Sequence, residues 1–163
     1  MKIIDNGLPQ ALYGLVAQTV RDKSYKFGWT SAHQTDFDKF FNGQYIQERS
    51  SRNRRDITLE LDACTDASIN EAWQFIRDNY LPNHHIPIRV YSNMQIYGAE
   101  SHPHIDAPPW HDDVSAVVYC VQDGWRREWG GATLIFNGDG TITGAEPKSN
   151  RIAIFEGRTS HQA

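Results

Sequence analysis

The chain has 163 residues, of which 39% are hydrophobic and 12% aromatic, and this composition predicts a single globular domain rather than a disordered protein. Sixteen basic and 20 acidic side chains give a net charge of −4, which argues against a general nucleic-acid or anionic-membrane binder. The N-terminus has no apolar signal region and no apolar run approaches a membrane span. We therefore expect a cytoplasmic protein without nucleic-acid or membrane partners.

Residues 8–22 are predicted to form the first helix, with Pro9 near its first turn, where the missing N–H is tolerated. The apolar residues recur at helical spacing, which predicts one buried face. We expect that face to contain Leu12, Leu15, Val16 and Val20.

A second helix is predicted over residues 69–80, because Asp66 and Ser68 offer capping side chains just before it. Residues 57–61 alternate apolar and polar side chains, which is typical of a strand. We expect the basic stretch at residues 49–55 to be a solvated loop. Residues 1–87 thus have a mixed helical and extended pattern.

From residue 88 onward, short apolar and β-branched runs alternate with turn sequences such as Asn-Gly-Asp-Gly at 137–140. This pattern predicts a mainly β fold with flanking helices: an antiparallel sandwich, jelly roll or barrel. The whole chain is then one domain, with residues 1–87 supporting a β core at 88–163. The predicted strands are 88–97, 115–120, 132–136, 141–143 and 151–155.

The most informative motif is His104-Ile105-Asp106. Residues two apart on an extended chain project to the same side, so His104 and Asp106 can hold one metal ion together. A third ligand has to come from another strand, and His161 lies just after a predicted strand. Two imidazoles and one carboxylate form the facial triad of non-heme Fe(II) oxygenases, which leaves open positions for oxygen and a co-substrate.

Two alternatives to this ligand set are present in the sequence. His111-Asp112-Asp113 repeats the His-x-Asp spacing, and His102 lies two residues before His104. We prefer His104 and Asp106, because they close a strand-like segment and leave a loop before the next strand. We expect His111 to lie in a solvated loop and His102 to lie at a pocket rim or on the surface.

Residues 88–163 resemble the catalytic domain of Fe(II)/2-oxoglutarate-dependent dioxygenases, especially the prolyl 4-hydroxylase group. Several motifs occur in the family's order, which is more specific than any one motif alone. They are Tyr97-Gly98, His104-Ile-Asp106, the run at 117–120, Trp125 with Trp129-Gly130-Gly131, and the segment 146–155 leading to His161.

The resemblance implies a double-stranded β-helix, or jelly roll, with His104, Asp106 and His161 as both catalytic residues and metal ligands. It also implies that Tyr97 and Thr133 contact the co-substrate. The implied cofactors are Fe(II), 2-oxoglutarate and O₂, with ascorbate as an accompanying reductant. The implied reaction is hydroxylation of a C–H bond, in a prolyl residue of a peptide or protein or in a small molecule.

The sequence departs from the family at its C-terminal end. Relatives bind the far carboxylate of 2-oxoglutarate with a basic residue about ten positions beyond the distal histidine, whereas this sequence ends two residues after His161. We expect the natural protein to continue, so that 88–163 is a truncated core; otherwise Arg89, Arg151 or Arg158 substitutes. A non-catalytic jelly-roll binding module and a cupin-like Zn, Mn or Ni protein remain alternatives.

Overall fold

The computed structural model describes residues 1–29, 40–46, 66–82, 85–95 and 101–163, with backbone alone at 26–29 and 40–46. Three sequence predictions lie outside these ranges: the strand at 57–61, the basic loop at 49–55, and the role of Tyr97. Among the described residues, no helix is both long and apolar enough to cross a lipid bilayer.

The described elements are mainly strands, with two longer helices, as the sequence predicts. Two compact units are present: residues 1–7, 27–41 and 95–163 form the first, and residues 8–26 and 42–94 form the second. The helices are α1 (Gln10–Asp22) and α2 (Ala67–Tyr80). The strands are β1 (Lys2–Ile4), β2 (Lys26–Trp29), β3 (Phe40–Ile46), β4 (Val90–Met94), β5 (Val114–Val118), β6 (Thr133–Phe136), β7 (Ile142–Ala145), β8 (Ile152–Glu156) and β9 (His161–Gln162).

Helix α1 begins after Pro9, and its buried residues are Leu12, Tyr13, Val16 and Ala17. The prediction that Leu15 shares this face is wrong, because Leu15 is 54% exposed. Successive helical residues are rotated by about 100°, so Leu15 points about 130° away from the centre of the buried face. Tyr13, an aromatic residue that the predicted face did not include, lies on the buried face.

Helix α2 is capped at its N-terminus by Asp66, as predicted, and begins two residues before the predicted start. The Asp66 carboxylate accepts hydrogen bonds from the backbone N–H of Ser68 at 2.9 Å and of Ile69 at 3.1 Å. Thr19 of α1 donates to the same carboxylate at 3.3 Å, which ties the two helices together. Because the Ser68 hydroxyl also donates to it, the pKa of Asp66 lies below its usual value.

Two antiparallel sheets organise the first unit, with strand orders β1-β8-β5 and β7-β6-β9. Strand β8 lies in the middle of its sheet, and four of its five residues are buried. Tyr119, Ala145 and Ala153 form a core cluster with contributions from both sheets. The sequence pattern did not predict β1 or β9, because a strand of two or three residues is too short to show a period of two.

The Gly130-Gly131 pair forms a turn that only glycine adopts easily, with φ of 74° and 81°. The Trp125 indole N–H donates to the carbonyl of Gly130 at 3.1 Å. Trp125 also packs edge-on against Trp129, with ring centroids 5.3 Å apart. Both tryptophans therefore pack around the turn.

Candidate metal centre

The three residues that the sequence predicts as metal ligands come together in the first unit. His104, Asp106 and His161 each offer one ligand atom, and these atoms lie within 4.8 Å of one another. Backbone hydrogen bonds of 2.9 Å run in both directions between His104 and His161, so the two histidines face each other across an antiparallel bridge. Asp106 follows two residues after His104, which brings its carboxylate to the same side.

Both imidazoles are oriented by backbone carbonyls. Nδ1 of His104 lies 2.8 Å from the carbonyl oxygen of His102, and Nδ1 of His161 lies 2.9 Å from that of Thr159. A carbonyl oxygen can only accept, so each Nδ1 carries a proton, and in its neutral form each ring has its lone pair on Nε2. The Nε2 atoms lie 3.8 Å and 3.5 Å from the oxygens of Asp106.

The His161 ring is buried and is packed from behind by an aromatic side chain. The ring of Phe155, on β8, lies 4.7 Å from the His161 ring, centroid to centroid. Burial lowers the pKa of His161, with the nearby His104 acting in the same direction and Asp106 opposing it. A neutral imidazole is the form that binds a metal ion.

Asp106 is held at both its backbone and its side chain. Its backbone N–H donates to the carbonyl of Gly157 at 2.7 Å, and the N–H of Ala107 donates to the same oxygen at 3.0 Å. Gly157 in turn donates to the carbonyl of Asp113 at 2.7 Å, which closes the loop between Asp106 and β5. The Ser115 hydroxyl donates to Oδ2 of Asp106.

Sequence reasoning missed Ser115 and Gly157. Both act through antiparallel pairing or loop closure between segments distant in sequence, and neither belongs to a ligand motif. The only sequence signal at Ser115 is a polar residue at the start of an apolar, β-branched run, which is also common at ordinary sheet surfaces.

Thr133 is buried on β6, on the same face as the candidate ligand His161. Ile135 is paired directly with His161, and Thr133 lies two residues before Ile135, so all three side chains point the same way. The Thr133 hydroxyl lies 2.6 Å from the Tyr119 hydroxyl, which also lies 2.9 Å from the Ala145 carbonyl. Burial raises the pKa of Tyr119 and so keeps its phenol protonated.

The alternative ligands lie outside the three-residue cluster. Nδ1 of His111 is 3.7 Å from Oδ1 of Asp113, so this second His-x-Asp motif interacts within itself. The His102 side chain is exposed, and this residue contributes its carbonyl oxygen to the orientation of His104. Within the described ranges, the group suited to a metal ion is His104, Asp106 and His161.

The three arginines considered as carboxylate anchors have partners of their own. Arg151 contacts Asp5 at 2.6 Å and donates to the carbonyl of Glu146, and Arg158 contacts Glu156 at 2.6 Å. The Arg89 guanidinium lies 4.5 Å from the centre of the Tyr91 ring. Arg151 and Arg158 are thus already paired with carboxylates of this chain.

The donor set fits a divalent transition metal. Two imidazoles whose Nδ1–H groups donate to backbone carbonyls, together with one carboxylate, are ligands suited to Fe(II), Zn or Mn. Three protein ligands in one cluster leave the remaining positions of an octahedral ion open for other molecules. An arrangement of this kind is suited to hold one metal ion on a β scaffold.

Comparison with known proteins finds similarity to one family over the C-terminal part of the chain. Residues 91–163, which include all three candidate ligands, match the model of the 2OG-Fe(II) oxygenase superfamily. The resemblance inferred from the order of motifs is therefore confirmed at the level of this superfamily, whose members use Fe(II), 2-oxoglutarate and O₂. A comparison with curated proteins finds no match by sequence.

Solved structures of similar fold are prolyl hydroxylases. One is a prolyl hydroxylase in complex with a hypoxia inducible factor oxygen degradation domain peptide fragment from Trichoplax adhaerens, with TM-score 0.67, 17% identity, and coverage of 99% of this chain and 75% of that one. Another is a Pseudomonas putida prolyl-4-hydroxylase, with TM-score 0.62, 19% identity, and coverage of 99% and 83%. The predicted double-stranded β-helix, or jelly roll, is confirmed.

Proposed function

We propose that this protein is an Fe(II)- and 2-oxoglutarate-dependent dioxygenase that hydroxylates a C–H bond, with His104, Asp106 and His161 as the iron ligands. The observation that carries the proposal is the convergence of their ligand atoms within 4.8 Å. The orientation of both imidazoles by backbone carbonyls supports it, because such contacts fix the tautomer that binds a metal.

The chain's own residues bind and orient the reactants. Bound Fe(II) supplies the chemistry: chelation of 2-oxoglutarate and activation of O₂, with 2-oxoglutarate oxidised to succinate and CO₂ while one oxygen atom enters the substrate. His104 and His161 offer neutral nitrogen donors, and Asp106 offers an anionic oxygen. The presence of this carboxylate favours hydroxylation over halogenation, since the halogenating relatives carry a small residue in its place.

Thr133 and Tyr97 are proposed to contact 2-oxoglutarate. Support for Thr133 comes from its position two residues along β6 from the residue paired with His161, about 7 Å along a strand. Its hydroxyl accepts a hydrogen bond from the protonated phenol of Tyr119, which fixes the position of the hydroxyl oxygen.

A prolyl residue in a peptide or protein is the proposed substrate. The similarity in fold to prolyl hydroxylases, one of them solved with a peptide, supports this choice. Trp110 supports it as well, because it is 81% exposed on the loop that Gly157 closes beside Asp106. An exposed aromatic side chain four residues after Asp106 in the sequence is suited to packing against a pyrrolidine ring.

Anaerobic titration of the Fe(II)-loaded protein with 2-oxoglutarate tests the proposal. Chelation of iron by 2-oxoglutarate gives a metal-to-ligand charge-transfer band in the visible, which we expect in the wild-type protein and not in His104→Ala. Iron binding without the band would reject the proposed use of 2-oxoglutarate. The band together with succinate release in air would establish turnover.

A non-catalytic jelly-roll module that binds metal is the second candidate. The observation that favours it is the pairing of Arg151 and Arg158 with Asp5 and Glu156, which occupies two of the cations considered for the far carboxylate. Succinate release coupled to consumption of 2-oxoglutarate would exclude this candidate.

A further inference from the structure

Ser101 is a buried polar residue where the segment that carries His104 meets the end of strand β9. Both its backbone and its side chain contact Ala163, which lies two residues after His161. The Ser101 N–H donates to the Ala163 carbonyl at 2.8 Å, and the Ala163 N–H donates to Oγ of Ser101 at 2.9 Å. Because Ser101 is only 5% exposed, its hydroxyl needs a partner inside the protein, and the Ala163 N–H supplies one.

These contacts depart from regular antiparallel pairing by one residue. His104 and His161 form a pair joined by hydrogen bonds in both directions. A regular ladder would then place His102 opposite Ala163 and join the Ala163 N–H to the His102 carbonyl. The Ala163 N–H donates to the Ser101 hydroxyl instead, so residues 101 and 102 together lie opposite one residue. Two residues opposite one is the arrangement of a β-bulge, which changes the direction of groups on the bulged strand.

The His102 carbonyl contacts an imidazole of the metal centre. It lies 2.8 Å from Nδ1 of His104, and the opposite nitrogen of that ring, Nε2, lies 3.8 Å from Asp106. The Ser101 hydroxyl accepts the N–H that this carbonyl would accept in a regular ladder. One buried hydroxyl thereby allows the carbonyl of the next residue to turn from strand pairing to the imidazole.

We propose that Ser101 is a positioning residue of the metal centre: its hydroxyl accepts the Ala163 N–H in place of the His102 carbonyl, which leaves that carbonyl to orient His104. A partner of this kind fixes the nitrogen that a ligand ring offers to a metal ion. The part that concerns metal affinity rests on the proposed function, since it requires that His104 is a ligand. The part that concerns the tautomer of the ring can be measured without a metal ion.

The test compares the wild-type chain with Ser101→Ala, which removes the acceptor, and with Ser101→Thr, which keeps it. Long-range ¹H–¹⁵N NMR correlations at about pH 8, where histidine is neutral, show which imidazole nitrogen carries the proton. Wild type should show Nδ1–H at both His104 and His161. In Ser101→Ala we expect a mixture of tautomers at His104, because the Ala163 N–H then competes for the His102 carbonyl. Ser101→Thr should restore the wild-type tautomer.

His161 is the internal reference in the same spectra, because its Nδ1 lies 2.9 Å from the carbonyl of Thr159. Its tautomer should stay Nδ1–H in every variant. Calorimetric titration with Mn(II) then measures metal affinity. We expect Ser101→Ala to bind Mn(II) about tenfold more weakly, at the lower end of the usual effect of losing an orienting partner, and Ser101→Thr to restore the affinity.

An unchanged tautomer at His104, or an unchanged Mn(II) affinity, in Ser101→Ala would overturn the inference and leave the proposed function intact. A change of tautomer at both His104 and His161 would also overturn it, because the substitution would then loosen β9 as a whole. Failure of the wild-type protein to bind Mn(II) or Fe(II) would instead overturn the proposed function, while the NMR comparison would still decide the role of Ser101. If Ser101→Ala does not fold, as judged by circular dichroism, Ser101→Cys replaces it, because a thiol of similar shape is a weak acceptor and predicts the same change.

Discussion

At the scale of single residues, the histidines that face Asp106 differ from His111 in what surrounds them. His104 directs Nε2 toward Asp106 because its Nδ1–H donates to the carbonyl of His102, whereas His111 interacts with Asp113. We expect His104→Ala to abolish Fe(II) binding, since two ligands hold a metal ion far less tightly than three. Calorimetric titration of the purified variant with Fe(II) under anaerobic conditions measures this loss.

His111→Ala is the matched control, because it removes an imidazole from the other His-x-Asp motif on the same loop. We expect its Fe(II) affinity to stay within a factor of about three of wild type, with an unchanged melting temperature. Loss of metal binding in His111→Ala, together with retention in His104→Ala, would reverse the assignment of the two motifs.

Gly157 is the residue where backbone packing and the metal centre depend on each other. A Cβ there would lie 3.2 Å from Cβ of Ala107 and 3.2 Å from the carbonyl oxygen of Asp113. Both neighbours belong to the loop whose backbone places Asp106, so we expect Gly157→Ala to shift that loop. The free energy of unfolding should fall by about 1–3 kcal/mol, the usual cost of overpacking, and metal affinity should fall with it.

Gly138→Ala is the control for this prediction. A Cβ at Gly138 meets nothing within 4 Å, so the added methyl group has space in its turn. Denaturant unfolding should show a change of no more than about 0.5 kcal/mol, and metal affinity should not change. Equal changes in unfolding free energy and metal affinity at the two glycines would show that the close neighbours of Gly157 do not determine either property.

At the scale of elements, the N-terminus of α2 shows how one carboxylate stabilises a helix and links stability to pH. We expect Asp66→Ala to lower the free energy of unfolding by about 1 kcal/mol at pH 7, because two backbone N–H groups lose their acceptor. The pKa of Asp66 is lowered in the folded protein, so its contribution is complete above the unfolded pKa of about 4 and is lost as the pH falls through the folded value.

The difference in the free energy of unfolding between wild type and Asp66→Ala should therefore become smaller when urea unfolding is repeated at progressively lower pH. Asp78→Ala is the control, because Asp78 lies near the other end of α2, is 57% exposed and pairs with the adjacent Arg77. Its effect should stay within about 0.5 kcal/mol. If the loss of unfolding free energy in Asp66→Ala grew toward low pH, the capping hydrogen bonds would not be its cause.

The elements also show which features of the fold can be predicted from sequence patterns. The capping residue of α2 could be predicted because a cap accepts hydrogen bonds from backbone N–H groups within three residues of itself. The bounds of the strands were less readable: β5 was predicted at 115–120 and is Val114–Val118, and β4 was predicted at 88–97 and is Val90–Met94. Strand ends are set by the partner strand, here β8 for β5, and no local pattern contains the partner.

The candidate site likewise contains some residues that the sequence identified and others that it did not. His104 and Asp106 were identified by a local spacing, and His161 by its position after a strand within an ordered series of motifs. Ser115 and Gly157 were not identified, because their contacts with Asp106 and Ala107 arise only when β5, β8 and the intervening loop are assembled. Spacing therefore predicts candidate ligands, whereas the residues that contact them depend on sheet register.

At the scale of the whole molecule, the first residues of the chain complete the sheet that supports the site near its C-terminal end. Strand β1 is paired with β8 over three residues, from Lys2 with Ile154 to Ile4 with Ile152. Just beyond β1, Asp5 contacts both Arg151 at 2.6 Å and Lys148 at 2.7 Å. The hydrogen bonds from Arg151 and Lys148 hold the pKa of Asp5 well below its usual range.

Deletion of residues 1–5 separates the contribution of the strand from that of the ion pairs. We expect the deletion to lower the free energy of unfolding by about 1–3 kcal/mol, the scale of a few net hydrogen bonds, and to weaken metal binding, because β8 carries Phe155 and leads directly to Gly157. Asp5→Asn, which keeps the strand, should have a smaller effect that disappears in 1 M salt, since exposed ion pairs are screened. Urea unfolding at low and high salt, with Fe(II) titration of both variants, distinguishes the contribution of the strand from that of the ion pairs. If Asp5→Asn alone reproduced the deletion at every salt concentration, the pairing of β1 with β8 would not be what supports the site.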